Sequence, residues 1–306
     1  MKLTLLGSVG NINQVVIPEL VKQGHEVTVI TSSEERTEAI KQLGAKPAVG
    51  TMQDVQFLTE QFTGADAVYL MISGNAGAED LFKVAEKQGQ IFKQAVKEAN
   101  VKNVVDLSSV GADAGEIAGA LYAYYLIEGE LKQLDDVNIA FVRPVGFYNN
   151  WYGNLQTIKT DKAIYSNIAK DLKRANVAPV DIAQVVLPLL LDTPKGHTVH
   201  YAISDLFTGE EFVAALNEEL GEADIRYVEI SDEQFKHSLS SRGIPEKVIE
   251  HFLQMNEYER QPEKAYADLK AKNPSFGKIK LEDFIKQFVY ALNNPTNAKA
   301  NTIVSE

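Results

Sequence analysis

The sequence predicts an α/β protein with a doubly wound parallel sheet followed by a smaller α/β C-terminal domain. Short apolar runs of strand length alternate with amphipathic helical patterns along the first half of the chain, which is typical of helices that connect parallel strands. The first apolar run, Leu3 to Leu6, leads straight into Gly7 and Gly10 and then into a helical pattern. We expect the sheet domain at residues 1–150, a substrate or lid domain at 151–292 with some segments returning to the sheet, and a flexible tail at 293–306.

The composition limits the function classes. The chain has 306 residues, of which 45% are hydrophobic, and a net charge of −12, so it can bury a large core but has no general affinity for nucleic acid or anionic membranes. It contains no cysteine, which excludes disulfides, thiolate metal sites and cysteine nucleophiles. No apolar run approaches the roughly 20 residues of a membrane span. We expect a cytoplasmic monomer or homodimer whose partner is a small molecule, not a nucleic acid or a membrane.

The first strand, loop and helix form a candidate phosphate-binding unit. Gly7 and Gly10 follow the strand directly, where glycine permits backbone angles closed to other residues and lets N–H groups approach an anion. The helix predicted over 11–23 would direct its positive N-terminal end toward that anion. His25 to Thr31 reads as a second strand and completes a βαβ unit. An ordinary strand-to-helix turn is the alternative, and the βαβ context favours dinucleotide binding.

The ends of the second and fourth strands carry further candidate cofactor contacts. Thr31 and Ser32 end the second strand and Arg36 follows one turn later, which favours NADP over NAD because a cation neutralises a 2′-phosphate. Equally, Arg36 and the glutamates before it could form the solvated first turn of a helix. Small residues from Ser73 to Gly77 follow Ile72 and suit the close approach of a nicotinamide ribose, although a plain glycine loop would look the same.

The other elements follow from periodicity and end signals. Strands are predicted at 46–49, 67–72, 103–108, 137–142, 197–203 and 225–230, and helices at 34–44, 55–62, 82–99, within 115–136, and at 180–191, 232–242, 245–260 and 281–292. Capping boxes begin two helices, at Thr208 with Glu211 and at Ser231 with Gln234. His197 and His200 lie three apart on a strand and face opposite ways, so we expect no metal site.

A segment rich in aromatic and amide side chains follows the strand at 137–142. Ligands of open α/β sheets bind beyond the carboxyl ends of the strands, so we predict a substrate pocket there. Its candidate residues are Phe147, Tyr148, Asn149 and Trp151. The alternative is that these aromatic rings only pack a second domain onto the sheet.

Four stretches together resemble one family over nearly the whole chain. They are the glycine loop at 7–12 and the stretches at 104–112, 142–150 and 178–183. The sequence resembles the NmrA-like family of atypical short-chain dehydrogenases/reductases. The resemblance implies an N-terminal Rossmann domain that binds NADP or NAD, and members include quinone and dye reductases as well as regulators that sense dinucleotides without turnover. The candidate cofactor-binding residues are Gly7, Ser8, Gly10, Asn11, Ile12, Thr31, Ser32, Arg36, Ile72, Ser73 and Ser108.

The sequence also departs from the pattern of that family. Asn13 stands where a third glycine is usual, where it could hinder the loop or contribute a hydrogen bond. Ser32 replaces a frequent arginine, and Thr51 a frequent adenine-contacting aspartate. In the helix that usually carries Tyr-x-x-x-Lys, Tyr124 is followed four residues later by Glu128.

The exchange at Glu128 changes the chemistry that we expect. A lysine there would lower the pKa of the Tyr124 phenol, whereas a carboxylate raises it. Glu128 could still accept a hydrogen bond from a ribose hydroxyl, so both residues remain candidates for the catalytic site. Alternatively, Tyr124 is a core aromatic residue and Glu128 a helix-surface acid. We expect an NAD(P)H-dependent reductase of a quinone-like or other conjugated acceptor, and the alternative is an NAD(P)-sensing regulator without turnover.

Overall fold

The computed structural model describes residues 1–72, 80–221 and 223–294. Its strands are β1 (Lys2–Leu5), β2 (Glu26–Thr31), β3 (Lys46–Val49), β4 (Ala67–Met71), β5 (Asn103–Leu107), β6 (Asn138–Pro144), β7 (Gly146–Phe147), β8 (Ala163–Ser166), β9 (Arg174–Val177), β10 (His197–Ala202), β11 (Asp205–Phe207) and β12 (Arg226–Glu229). Within this part of the chain, the largest sheet has the strand order β10-β6-β5-β4-β1-β2-β3. All its neighbouring strands are parallel, which confirms the predicted fold class.

Helices connect these strands. They are α1 (Asn13–Lys22), α2 (Thr37–Gln42), α3 (Val55–Phe62), α4 (Leu81–Glu98), α5 (Tyr122–Leu131), α6 (Leu155–Asp161), α7 (Pro179–Leu191), α8 (Gly209–Glu219), α9 (Asp232–Ser240), α10 (Glu246–Glu259), α11 (Pro262–Ala265), α12 (Ala267–Lys272) and α13 (Leu281–Asn293). Three segments are 3-10 helices, at Glu34–Arg36, Gly115–Leu121 and Tyr148–Asn154. In the described ranges no helix is long and apolar enough to cross a bilayer.

Apolar side chains cover both faces of the central sheet. Leu3 and Leu5 of β1 belong to one core, together with residues of α1 and α7. Leu70 of β4 belongs to the core on the opposite face, together with Phe92 of α4 and Ile127 of α5. Because both faces are buried, the strands are near-continuous apolar runs. This explains why the sequence signal for them is strong.

The C-terminal half contains two small sheets. β9 lies between β7, which is parallel to it, and β11, which is antiparallel, while β8 pairs in parallel with β12. Their core is aromatic and includes Tyr148, Tyr152, Phe207, Phe212, Phe284 and Phe288. The sequence analysis did not predict β7, β8, β9 or β11. Each has four residues or fewer.

Most predicted elements end within two residues of the observed ones, with one informative exception. The helix expected within 115–136 is a 3-10 segment followed by α5, with a break at Gly119. Gly119 has φ +57°, and a Cβ there would lie 2.3 Å from the backbone nitrogen of Met255 and 2.4 Å from the backbone oxygen of His251. This close approach to α10 therefore requires glycine.

Other predictions concern the ends of elements and the domain boundary. Both capping boxes are confirmed. β10 lies beyond residue 150 and pairs with β6 of the central sheet, while the boundary at residue 150 stays a prediction. Asn293, the first residue of the predicted tail, belongs to α13, and residues 295–306 lie outside the described residues.

Asp181, in the stretch at 178–183, connects α7 with the segment before α13. Its carboxylate accepts hydrogen bonds from the backbone N–H groups of Lys278 and Ile279, at 3.0 Å each, and from the Ser204 hydroxyl at 2.6 Å. A Cβ at Gly277 would lie 2.3 Å from this carboxylate. The aspartate therefore joins the central sheet layer to the C-terminal helix.

Candidate functional site

The loop after β1 has the conformation that its glycines allow. Gly7 has φ +94°, and a Cβ there would lie 3.3 Å from the Asn13 amide nitrogen and from the Met71 sulfur. The Gly10 N–H donates to the Gly7 carbonyl at 3.0 Å, closing the turn. A Cβ at Gly10 would also lie 3.0 Å from that carbonyl oxygen. The positive φ of Gly7 therefore favours glycine there, and a side chain at Gly10 would crowd the turn.

Asn13 supports the loop instead of hindering it. Its buried amide nitrogen donates to the Leu6 carbonyl and to the Ser8 carbonyl, at 2.8 Å in each case. Two carbonyls that enter the turn thus have a donor, and Ser8 is held at φ +50°. Of the two outcomes expected at the third glycine position, the structure therefore has the hydrogen bond.

Backbone donors lie where the loop meets α1. Within the described part of the chain, the N–H groups of Asn11 and Ile12 donate to no other group. The Ser8 hydroxyl donates to the Thr31 hydroxyl at 3.0 Å, which joins the loop to the end of β2. The structure thus brings the loop residues predicted to bind cofactor together with Thr31. Free N–H groups at a helix start form a fitting site for a phosphate anion.

The other predicted cofactor contacts lie along the same edge of the sheet. Ser32 and Arg36 are exposed beyond β2, and among the described residues Arg36 forms no ion pair. Arg36 ends a 3-10 helix that begins with two glutamates, so it belongs to a solvated turn and its guanidinium is also accessible. Ile72 is half-buried after β4, and Ser73 lies outside the described residues.

Glu128 is completely buried and fully paired. It accepts hydrogen bonds from Arg143 Nε at 2.9 Å, Arg143 Nη2 at 2.7 Å, the Ser108 hydroxyl at 2.5 Å and Lys132 Nζ at 2.8 Å. Burial opposes its charge, but these bonds and the charge of Arg143 outweigh burial and lower the pKa of Glu128. The alternative that it is a helix-surface acid is wrong. Since a carboxylate has about four acceptor positions, these donors leave little capacity for a ribose hydroxyl.

Tyr124 lies one turn before Glu128 on α5. The side chain is half-buried, and burial, followed by the nearby Asp106 carboxyl, raises the pKa of the phenol. The predicted direction is therefore correct, but the responsible carboxyl is Asp106 and not Glu128. Asp106 is itself buried on β5, and burial together with Glu128 raises the pKa of Asp106 well above its ordinary value.

Arg143 extends the network around Glu128 across the sheet. Its Nη1 donates to Asp113 at 3.1 Å, to the Tyr201 hydroxyl at 3.3 Å and to Asp268 at 3.5 Å. The Tyr201 hydroxyl donates to Asp268 at 2.7 Å. The sequence analysis missed Arg143 as a partner of Glu128. A charged residue inside an otherwise apolar strand was the available signal, because a buried charge needs a partner.

The four predicted substrate residues divide into two groups. Phe147 and Trp151 line a cleft of about 120 Å³ between the two small sheets. Tyr148 is 1% exposed, stacks on Phe284 with centroids 4.5 Å apart, and donates to the Ile279 carbonyl at 3.2 Å. Asn149 is also buried. The alternative, packing of the C-terminal core, therefore describes Tyr148, while Phe147 and Trp151 face the cleft.

The sequence analysis missed several residues of this cleft. Arg174 and Asn176 on β9, Tyr165 on β8 and Tyr227 on β12 also line it. They lie on four-residue strands whose pairing joins distant parts of the chain. No local pattern marks such residues, so only the fold could reveal them.

The model of the NmrA-like family matches residues 1–287. The chain belongs to the NmrA-like family. This confirms the resemblance stated from the four sequence stretches. A curated relative, the decarboxylating sterol-4-alpha-carboxylate 3-dehydrogenase of Dictyostelium discoideum, is 34% identical over 64 residues. That match covers 21% of this chain and 20% of the relative.

Two solved structures illustrate the NmrA-like fold of this chain. The triphenylmethane reductase of Citrobacter sp. is 17% identical, with a TM-score of 0.76 over 95% of this chain and 100% of that chain. The NADPH-dependent quinone oxidoreductase of Escherichia coli, complexed with NADPH, is 18% identical, with a TM-score of 0.77 over 94% of this chain and 99% of that chain. The chain therefore has a fold that these NAD(P)-dependent reductases share.

The described part of this NmrA-like chain has no cluster of side chains that could bind a metal ion. In residues 1–72, 80–221 and 223–294 no group of three or more histidine, aspartate or glutamate side chains could hold an ion. The organised polar groups are the loop after β1, the buried network around Glu128 and the cleft beside Trp151. The first could hold an anion, the second holds α5 against the sheet, and the third could hold part of a planar ligand.

Proposed function

We propose that this protein is an NAD(P)H-dependent reductase that transfers hydride to a quinone-like or other conjugated small-molecule acceptor. The state of α5 is the observation that supports this reaction most. Glu128, and not a lysine, stands four residues after Tyr124, Glu128 is engaged by Arg143, and the pKa of Tyr124 is raised. Tyrosine-driven oxidation of an alcohol needs a phenol that ionises readily. A conjugated acceptor does not, because its delocalised anion can take a proton from water.

The loop after β1 fits a dinucleotide. A Cβ at Gly7 or Gly10 would crowd the turn, and the N–H groups of Asn11 and Ile12 are available at the start of α1. Exposed Arg36 supports NADP as the preferred cofactor, with NAD as the alternative. The bound nicotinamide would supply the hydride. The NADPH-bound quinone oxidoreductase with the same fold adds support to this assignment.

The protein would orient the acceptor, and solvent would supply the second proton. Phe147 and Trp151 offer apolar ring surfaces that could orient a planar acceptor and exclude water. Two electrons and one proton reach the acceptor as hydride, and a second proton from solvent completes the reduction. In this scheme Tyr124 and Ser108 belong to the surroundings of the cofactor, and Glu128 positions α5.

Oxidation of NADPH with a panel of benzoquinones and naphthoquinones tests this function. We expect acceptor-dependent loss of NADPH absorbance and little activity with alcohols plus NADP. Gly10→Ala should weaken NADPH binding because its methyl group would crowd the Gly7 carbonyl. The matched control is Gly129→Ala, since a Cβ at Gly129 meets nothing within 4 Å. Absence of NADPH and NADH binding by calorimetry would refute the proposal.

A non-catalytic NAD(P) sensor is the second candidate. The buried pair of Glu128 with Arg143 favours it, because this pair occupies the position of the usual catalytic lysine with a structural contact. In that case NADPH should raise the melting temperature and remain unconsumed with every quinone. Consumption of NADPH with any acceptor would decide for the reductase.

A further inference from the structure

We infer that the cleft beside Trp151 binds the carboxylate end of a planar aromatic molecule, with Arg174 as the charged contact. If the proposed function holds, this molecule is the hydride acceptor, and the inference then rests on that function. The cleft lies beyond β7, which directly follows the carboxyl end of β6. Because β6 is parallel to β1 in the central sheet, the carboxyl end of β6 lies at the same sheet edge as the loop after β1.

Among the described residues that line the cleft, Arg174 is the only charged one. Its Nη2 donates to Glu259, the last residue of α10. Within the described residues, its Nε and Nη1 donate to no acceptor, and the side chain keeps 32% of its surface exposed. A guanidinium has five N–H donors, so Arg174 retains donors for an oxygen-bearing ligand.

Glu259 on α10 limits the negative charge of a ligand that Arg174 can compensate. Glu259 is only 12% exposed and already neutralises part of the charge of Arg174. The described lining residues include no second cation, so a doubly charged phosphate would lack compensation. A single carboxylate fits better, because Nε or Nη1 can donate a charge-assisted hydrogen bond to one of its oxygens.

The walls of the cleft fit a flat ring. Trp151 is fixed by stacking on Phe212, with centroids 4.0 Å apart, and by its bond to the Asn176 side chain at 3.1 Å. Tyr227 is fixed by its hydroxyl bond to the Ile168 carbonyl at 3.0 Å. Rings that are already fixed lose little entropy on stacking with a ligand. Two preorganised rings therefore line the cleft, and we expect a planar ligand to stack on them.

The size of the cleft indicates that it holds one end of a ligand. Its volume is about 120 Å³, while pockets for whole ligands usually measure roughly 300–1,000 Å³. A carboxylate and the ring that bears it would fill this volume. The remainder of a larger molecule would extend out of the cleft.

The probe is 4-nitrobenzoate, compared with its neutral counterpart 4-nitrobenzamide. Trp151 is the single tryptophan of the chain, so quenching of tryptophan fluorescence reports binding at this cleft. We expect saturable quenching by both compounds and about tenfold tighter binding of the carboxylate, as a charge-assisted hydrogen bond provides. Equal affinity for the two probes, or no quenching, would overturn the inference.

Variants then assign the preference to Arg174. Arg174→Gln should abolish the preference for the carboxylate, and the double variant Arg174→Gln/Glu259→Gln should do the same without leaving a buried carboxylate unpaired. Arg226→Gln, at an exposed neighbour of Tyr227 that does not line the cleft, should keep it. Thermal melts verify folding. A preference that survives in both Arg174 variants would contradict the assignment.

These titrations contain no dinucleotide, so they separate the inference from the proposed function. Loss of the probe preference with intact quinone reduction would refute only the cleft assignment. Failure to bind NADPH with the preference intact would refute only the reductase. If both hold, a carboxylated naphthoquinone should have a lower KM than its amide, and Arg174→Gln should remove that difference with little change in kcat.

Discussion

The loop after β1 and the helix α5 both depart from the family pattern, but they accommodate the departure differently. At the loop, one side chain suffices, since the Asn13 amide donates to two carbonyls of the turn it supports. On α5, Glu128 needs Arg143 from β6, Ser108 after β5 and Lys132 from its own helix. A neutral side chain solves a local problem, whereas a buried charge requires compensation across several elements.

This contrast separates binding from catalysis. The loop keeps the backbone donors that a dinucleotide needs, so the departure at Asn13 preserves the candidate binding site. The network on α5 occupies the position at which a lysine would activate Tyr124. In the proposed reductase, the departure at Glu128 would change the available chemistry, while the central sheet keeps the fold of the family.

Arg143→Met should have the largest effect. It would leave the buried Glu128 carboxylate with Lys132 as its one cationic partner among the described residues, which should lower the free energy of unfolding by about 3–5 kcal/mol. Urea titration measures this change. The double variant Arg143→Met/Glu128→Met should recover much of the loss, and Lys41→Met, in an exposed pair with Glu38, should change stability by less than about 0.5 kcal/mol. Equal effects of the Arg143 and Lys41 variants would contradict the buried network.

Asn13→Ala should have a smaller effect on stability and a clear effect on binding. Loss of the donors to Leu6 and Ser8 should cost about 1–3 kcal/mol in unfolding free energy and weaken NADPH binding in calorimetry. Gln14→Ala is the control, because Gln14 is exposed and donates to the Val9 carbonyl of the same loop. If both variants bind NADPH equally well, Asn13 does not support the loop.

The pH dependence of stability distinguishes the two buried carboxyls. The pKa of Asp106 is raised from 3.8 in the fold, so unfolding above pH 3.8 releases its proton. The free energy of unfolding should therefore fall by about 1.4 kcal/mol for each pH unit above 3.8, until the folded pKa is reached. Glu128 has the opposite sign, since its pKa is lowered from 4.5, and its contribution is lost as the pH falls through the folded value.

Asp106→Asn tests the first of these contributions. The variant should match the wild type near pH 4 and become more stable than the wild type as the pH rises. Unfolding in urea at several pH values measures the difference. Asp136→Asn, at an exposed position, is the control and should follow the wild type. A constant difference between Asp106→Asn and the wild type would show that Asp106 ionises normally.

Arg36→Ala should have the smallest effect and should leave folding unchanged. If Arg36 contacts the 2′-phosphate, NADPH affinity should fall about tenfold, or roughly 1.4 kcal/mol, while NADH affinity stays the same. Calorimetry with both cofactors measures this, with Lys41→Ala as the control on the following helix. An equal loss for NADPH and NADH, or no loss, would assign Arg36 to the solvated turn.

Most of the central sheet could be predicted from the sequence, because buried parallel strands and the helices that connect them have strong hydrophobic patterns. The glycine loop and both capping boxes could also be predicted, because each is a pattern of neighbouring residues. The sequence did not reveal that Arg143 pairs with Glu128, since this depends on how α5 lies against β6. Nor could it separate Trp151 from Tyr148 within one aromatic segment, because the surrounding elements decide which ring faces the cleft.

The close approach at Gly119 has a mechanical consequence. No side chain separates this backbone from α10, and α10 carries Glu259, which holds Arg174. Gly119 lies three residues before Tyr122, the first residue of α5, which also carries Tyr124 and Glu128. Because no side chain separates the two backbones at this contact, α10 cannot approach the segment before α5 without displacing it. The position of Glu259 on α10 is therefore coupled to the start of α5.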